Sequence, residues 1–179
     1  MSLVNNLGEA FYNSLVYFLR SSADLESDFD DRIYISHPDL NLSDLALPFI
    51  LIHSYLEEHD VNVQPDYEGT ESRLARFNFT IGVYCQTYSQ QRELPELVRR
   101  VILSSKVGNK HGIQIYKGFD NSGNPDAGSE LVVADIELGN ITPLGGETEE
   151  DIVRKFRSMI DGYWEVLKDK TKKFINSNS

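Results

Sequence analysis

Between residues 77 and 86 the chain alternates strictly. Phe77, Phe79, Ile81, Val83 and Cys85 are separated by Asn78, Thr80, Gly82, Tyr84 and Gln86. Successive side chains of a strand point to opposite faces, so this period of two demands a long strand with one face against a core. A second segment constrains the fold almost as strongly. Residues 47–56 read Leu-Pro-Phe-Ile-Leu-Ile-His-Ser-Tyr-Leu and begin apolar on nearly every residue, the pattern of a central strand buried on both faces. Pro48 sits at its start, where a missing amide costs least. The stretch between them, from Glu57 to Ala75, is polar and acidic and contains Pro65 and Gly69. A compact domain seldom needs so long a connection, so the pair predicts a hairpin whose tip projects from the body.

Helical spacing frames these strands. Leu3, Leu7, Phe11, Leu15, Phe18 and Leu19 form one stripe, with Asn5, Asn6, Glu9 and Asn13 opposite, which predicts an amphipathic helix ended by Ser21 and Ser22. Asp24, Glu26, Asp28, Asp30 and Asp31 then predict a solvated turn. Residues 32–36 predict a short strand stopped by His37-Pro38. From Ser89 the period becomes helical again. Leu94, Leu97, Val98, Val101 and Ile102 oppose Glu93, Glu96, Arg99, Arg100 and Lys106, with Pro95 in the first turn and Gly108 and Gly112 bracketing the end. A strand from 113 to 119, a turn over 120–125 and a strand over 131–138 predict a second hairpin. Residues 152–167 fit a helix through Ile152, Phe156, Met159, Ile160 and Tyr163, and a strand through Phe156, Ser158, Ile160, Gly162 and Trp164. Gly162 weakens the helix by about 1 kcal/mol.

These elements predict a single α+β domain over 1–167. Its sheet is mostly antiparallel or mixed, with helices packed on one face and a long projecting hairpin, and 168–179 form a flexible lysine-bearing tail. At 179 residues such a domain buries roughly 70% of the surface of its unfolded chain and needs neither a metal nor a disulfide. The single cysteine fits a reducing compartment. No apolar run approaches the roughly 20 residues needed to span a bilayer, and residues 1–6 lack a basic signal-peptide region, so the expectation is a cytoplasmic product without a membrane partner. A formal net charge of -11 argues against gripping nucleic acid, because that affinity comes from cationic contacts to phosphate.

No catalytic motif is assembled in the sequence. His37, His53, His59 and His111 stand in no pattern that a reaction demands. His53 and His59 are six apart, which separates them on a helix, whereas on one strand the even spacing would align them as a metal pair. A half-buried His53 and an exposed His59 are the plainer reading. Asp120, Ser122 and Asn124 imitate the start of a calcium loop, but Pro125-Asp126 replaces the required glycine and Leu131 stands where the bidentate glutamate belongs, so a hairpin turn is expected. Cys85 reads as a small core hydrophobe. Gly145-Gly146 precedes Glu147, Glu149 and Glu150, which would repel a phosphate. A nucleotide loop and a nucleophile elbow are also missing from the sequence. The expectation is a protein that is not an enzyme and takes no cofactor or metal. The competing class is a metal-dependent hydrolytic enzyme using His53, His59, Glu57, Glu58 and Asp60. A third class is a monomeric adaptor binding a peptide on a sheet edge.

The order of elements, with the buried run 47–52, the acidic excursion, the strand 77–86, the helix near 94–107 and the aromatic segment ending Tyr163-Trp164, resembles the tail terminator, or tail-completion, proteins of long-tailed bacteriophages. The resemblance covers most of residues 3–167. It implies a homo-hexameric ring that caps the tail tube, stops its polymerisation and presents the surface for head docking, at the tail–neck junction of the virion. The implied partners are the chain itself, the tail tube protein and neck or connector proteins, with genomic DNA passing through the lumen unbound. A neighbouring neck or connector ring protein is the nearest alternative. On this reading the hairpin tip at Asp66, Tyr67, Glu68 and Glu71 is the subunit or ring contact.

Overall fold

The computed structural model describes residues 7–54, 58–60, 72–145 and 156–169, with side chains for 7–54, 75–145 and 156–166. Helix α1 (Leu7–Arg20) buries Leu7, Phe11, Leu15 and Leu19, one residue per turn along a single stripe. Glu9 in its first turn and Arg20 in its last suit the helix dipole. Arg20 also donates from Nη2 to the Ile33 carbonyl at 2.5 Å, tying the helix end to the strand that follows.

The acidic segment expected as a solvated turn is instead a second helix, α2 (Ala23–Phe29). Leu25 and Phe29, one turn apart, are both buried and anchor it, each worth about 1.5–3 kcal/mol. Asp24 and Glu26 lie in the first turn, where the dipole favours them. Arg32 closes the other end, donating to the carbonyls of Asp28 at 2.7 Å and Phe29 at 3.0 Å. The density of acids in this segment hid the two apolar residues that decide its structure.

Strands β1 (Ile33–Ile35), β2 (Phe49–Ser54), β3 (Glu58–Asp60) and β4 (Ser72–Cys85) come next, followed by α3 (Tyr88–Leu103). Thr87 caps α3 by accepting from the Gln90 amide at 3.3 Å. The short pair β5 (Lys106–Val107) and β6 (Lys110–His111) precedes β7 (Ile113–Tyr116), β8 (Glu130–Ala134), β9 (Glu137–Gly145) and β10 (Phe156–Asp169). The main sheet has the order β1-β2-β4-β10-β9, with β3 beside β4 on the β2 side. β1 runs parallel to β2 and every other pairing in this sheet is antiparallel, so the sheet is mixed. The described fold is a single α+β domain.

Two expectations about the C-terminal third are corrected. The strand read over 131–138 is two strands: β8 pairs with β7 in a small sheet, whereas β9 leaves it and joins β10 in the main sheet. The break falls at Asp135-Ile136, where exposed Asp135 precedes Ile136, buried in the core. The segment open to helix or strand is β10, which runs to Asp169, two residues into the stretch read as a tail. It pairs with β4 over its whole length, from Phe156↔Cys85 to Asp169↔Ser72. Gly162 suits this strand, because a Cβ there would come within 2.5 Å of Phe79 Cζ. That aromatic ring occupies the place of the missing side chain.

One face of the sheet carries α1, α3 and the β7–β8 hairpin. At its centre the Phe11 ring lies 5.2 Å from Trp164, 5.5 Å from Phe79 and 6.2 Å from Phe77. Each well-oriented ring pair adds about 0.5–1.5 kcal/mol to the burial itself. Gln91 of α3 donates through Nε2 to the carbonyls of Leu144 and Arg157, fixing the helix to β9 and β10. On the opposite face Phe49 stacks on Tyr84 at 4.5 Å, and these two with Leu51 are packed by Leu40, Leu42, Leu45 and Leu47 of the connection between β1 and β2. This second cluster is why β2 is apolar on consecutive residues, as the sequence led one to expect of a strand buried on both faces.

Candidate functional site

Two surfaces present backbone or polar groups outward. The first is the ladder of β4 and β10. Both strands are fourteen residues long, about 46 Å at 3.3 Å per residue, and β2 pairs with β4 only over residues 79–84. β9 pairs with β10 only as far as Tyr163↔Glu137. Beyond that point, residues 164–169 of β10 have no strand on their outer side among the described residues. The far end of the ladder is therefore three strands wide, β3-β4-β10, and leads directly into residues 61–71. Arg76 and Glu165 form an ion pair across it, with the Arg76 guanidinium 4.6 Å from the centre of the Tyr163 ring.

The second surface lies on the sheet face opposite the helices, beyond the reach of the leucine-rich connection. The register lines up His53, Thr80 and Asp161 in one row across β2, β4 and β10. Thr80 donates from Oγ1 to Asp161 Oδ1 at 2.6 Å. β9 bulges opposite Asp161, so Gly139 approaches the Asp161 backbone, and a pocket of about 420 Å³ forms between Asn78, Thr80, Gly139, Asp161 and Tyr163. Burial, and then the charge of Arg157, holds the His53 imidazole below its ordinary 6.5. The row combines a carboxylate, a hydroxyl and an imidazole, but the hydroxyl hydrogen goes to the carboxylate. That arrangement orders a polar surface rather than activating Thr80 as a nucleophile. Sequence spacing gave no sign of this row, because it exists only through cross-strand register.

The sequence-derived candidates separate in the structure. His53 stands opposite Thr80 and His59 opposite Ala75, positions of opposite phase along β4, so the even spacing of the two histidines does not bring them into one row. The chain passes from β2 to β3 between them, and strand phase is not carried across that break. Among the described residues no group of three or more His, Cys, Asp or Glu side chains is placed to hold a metal ion. Glu57 lies outside the described residues. Cys85 is buried on the helix side and burial pushes its thiol up to about 12. Asp120 accepts from the Ser122 and Asn124 amides at 2.8 and 2.9 Å, which makes it the organiser of a turn, as expected. These backbone donors hold its carboxyl below the usual carboxylate range. Asp66, Tyr67, Glu68 and Glu71, the expected ring contact, lie outside the described residues, as does the Gly146–Glu150 part of the glycine-acid segment. No described helix is long and apolar enough to cross a membrane.

Compared with known proteins, the chain matches no protein-family model, and no curated protein matches it at a significant level.

Proposed function

We propose that this protein is a structural assembly protein of a long-tailed bacteriophage, a tail terminator whose hexameric ring caps the tail tube and presents the surface for the head. The observation that carries the reading is the long β4–β10 ladder, which continues the sheet beyond β2 and β9 toward the acidic segment 61–71. A strand with an open outer edge, as β10 has over 164–169 among the described residues, offers backbone donors and acceptors to a neighbouring subunit. Contacts of this head-to-tail kind close into a ring when the rotation between neighbours permits. A net charge of -11 supports a channel wall that lets duplex DNA pass without holding it. In this role the protein works by shape, as a non-enzymatic virion component at the tail–neck junction, with the tube protein and neck proteins as its partners.

Electron microscopy of the purified protein at high concentration, beside light scattering for mass, tests the ring. Six-fold rings with a hole wide enough for duplex DNA are expected. Deletion of residues 66–71 tests the contact at the hairpin tip, the expected result being a folded protein that no longer caps tubes. Normal tails from a phage carrying that deletion would overturn the assignment of Asp66, Tyr67, Glu68 and Glu71.

A further inference from the structure

Two stretches of the chain, one on each side of α3 in the sequence, carry charge of nearly one sign. From residue 97 to 119 the sequence contains five cations and no acid, whereas residues 24–44 contain seven acids and a single Lys or Arg, Arg32. That arginine is turned onto the carbonyls at the end of α2, so its guanidinium serves the backbone rather than the carboxylates. In space the acidic region lies apart from Arg100, Lys106 and Lys110, whereas residues 116–119 of the basic stretch pack on Tyr17 of α1. α2 leads into β1, β1 pairs with the start of β2, and Phe49 of β2 pairs with Tyr84, two residues before the Gln86-Thr87 turn that opens α3. The acidic region therefore lies at the beginning of α3. The β5–β6 hairpin follows the other end, about 24 Å away along a 16-residue helix.

Exposed apolar residues mark the same two places. Among the described residues the large exposed hydrophobics are Tyr88, at 62%, on the first residue of α3, and Leu103 and Val107, at 47% and 38%, at its other end. Leu103 and Val107 are flanked by exposed Arg100, Lys106 and Lys110, and Tyr88, with Arg92 one turn on, opens α3 at the end nearer exposed Asp24, Glu26, Asp30 and Asp31. An apolar centre within a charged rim is the usual anatomy of a protein contact, and here the two rims have opposite sign.

We infer that these ends are the two halves of one heterologous contact, in which the β5–β6 hairpin of one copy docks on the α2 end of the next. The occupant of each end is a second copy of this chain, selected by charge complementarity. The inference deepens the ring proposed above and relies on it only for closure, since the same contact without a closing rotation would build an open filament. Opposed charges set the partner and register, and Tyr88 against Leu103 and Val107 supplies the dehydrated centre.

Charge exchange tests this on the full chain. Two variants are made, Arg100→Glu with Lys106→Glu at the basic end and Glu26→Lys with Asp31→Lys at the acidic end, and mass is followed by light scattering at low salt and in 1 M NaCl. The wild-type protein should associate at low salt and dissociate in 1 M salt, where the screening length falls to about 3 Å. Each variant alone should associate about 100-fold more weakly, because like charges now face each other. An equimolar mixture should recover wild-type association, since every junction in a mixed assembly again pairs opposite signs. That recovery also shows that both variants are folded. Wild-type mass in either variant alone, no recovery on mixing, or a wild-type monomer at every concentration in low salt would each overturn the contact. Micrographs separate this from the ring proposal: rings that survive both charge reversals refute the contact alone, and filaments abolished by either reversal refute the ring alone.

Discussion

The two faces of the β4–β10 ladder are built from the same strands in the same register, yet they do different work. On the helix side Phe77, Phe79, Trp164 and Ile160 are buried against α1 and α3, and the ring of Phe11 lies against three aromatic rings of the sheet. On the other side the cover is partial. Leucines of the β1–β2 connection close the apolar part around Phe49, Leu51 and Tyr84, and the face then continues as the polar row His53, Thr80 and Asp161. Stability is concentrated where packing is complete, and the incompletely covered face leaves polar groups at the surface.

The largest effect should come from truncating the centre of the packed face. Phe11→Ala leaves a cavity among three rings and is expected to lower unfolding free energy by about 3–5 kcal/mol, measured by urea denaturation. A loss below 1 kcal/mol would break the contrast between the faces. Gly162→Ala tests the same face from the strand side. Its new methyl would meet Phe79 and Leu138 at 2.5 and 2.8 Å, so a loss of about 1–3 kcal/mol is expected from overpacking. On the polar face, Thr80→Val removes one hydrogen bond to an exposed carboxylate and should cost about 0.5–1.5 kcal/mol. A cost equal to that of Phe11→Ala would make the row part of the core.

The smallest effect is a pH dependence. Because burial, and then Arg157, lowers the folded-state pKa of His53, the unfolded chain takes up this proton first as pH falls. Stability should therefore drop as pH decreases through 6.5 and level off once the folded imidazole also protonates. His53→Gln should flatten that part of the curve of melting temperature against pH between 7.5 and 5.5. An unchanged slope would remove His53 as its source.

Several features were legible in the residues because they depend on short-range periodicity. The stripe Leu7, Phe11, Leu15, Leu19 specifies α1, and the alternation from Phe77 to Cys85 specifies β4 and which of its faces is buried. The consecutive apolar residues of 49–52 specify a strand covered twice. Gly162 and the turn at Asp120 were also readable from local chemistry. Misreadings arose where two signals competed: a run of acids concealed Leu25 and Phe29 in α2, and a continuous apolar stretch concealed the parting of β8 from β9.

What the sequence by itself determined, then, is the kind and order of elements and the side of each that seeks a core, since helical and strand periods are properties of neighbouring residues. Only the tertiary structure decided which residues meet. Strand register put Thr80 between His53 and Asp161, set His59 out of phase with His53, and laid β10 along the whole of β4. The pairing of β1 with β2 and of β2 with β4 placed the acidic stretch near the start of α3, away from the cations Arg100, Lys106 and Lys110 at and beyond its other end. Such juxtapositions join residues tens of positions apart, and they are fixed by the summed packing of the whole sheet rather than by any local pattern.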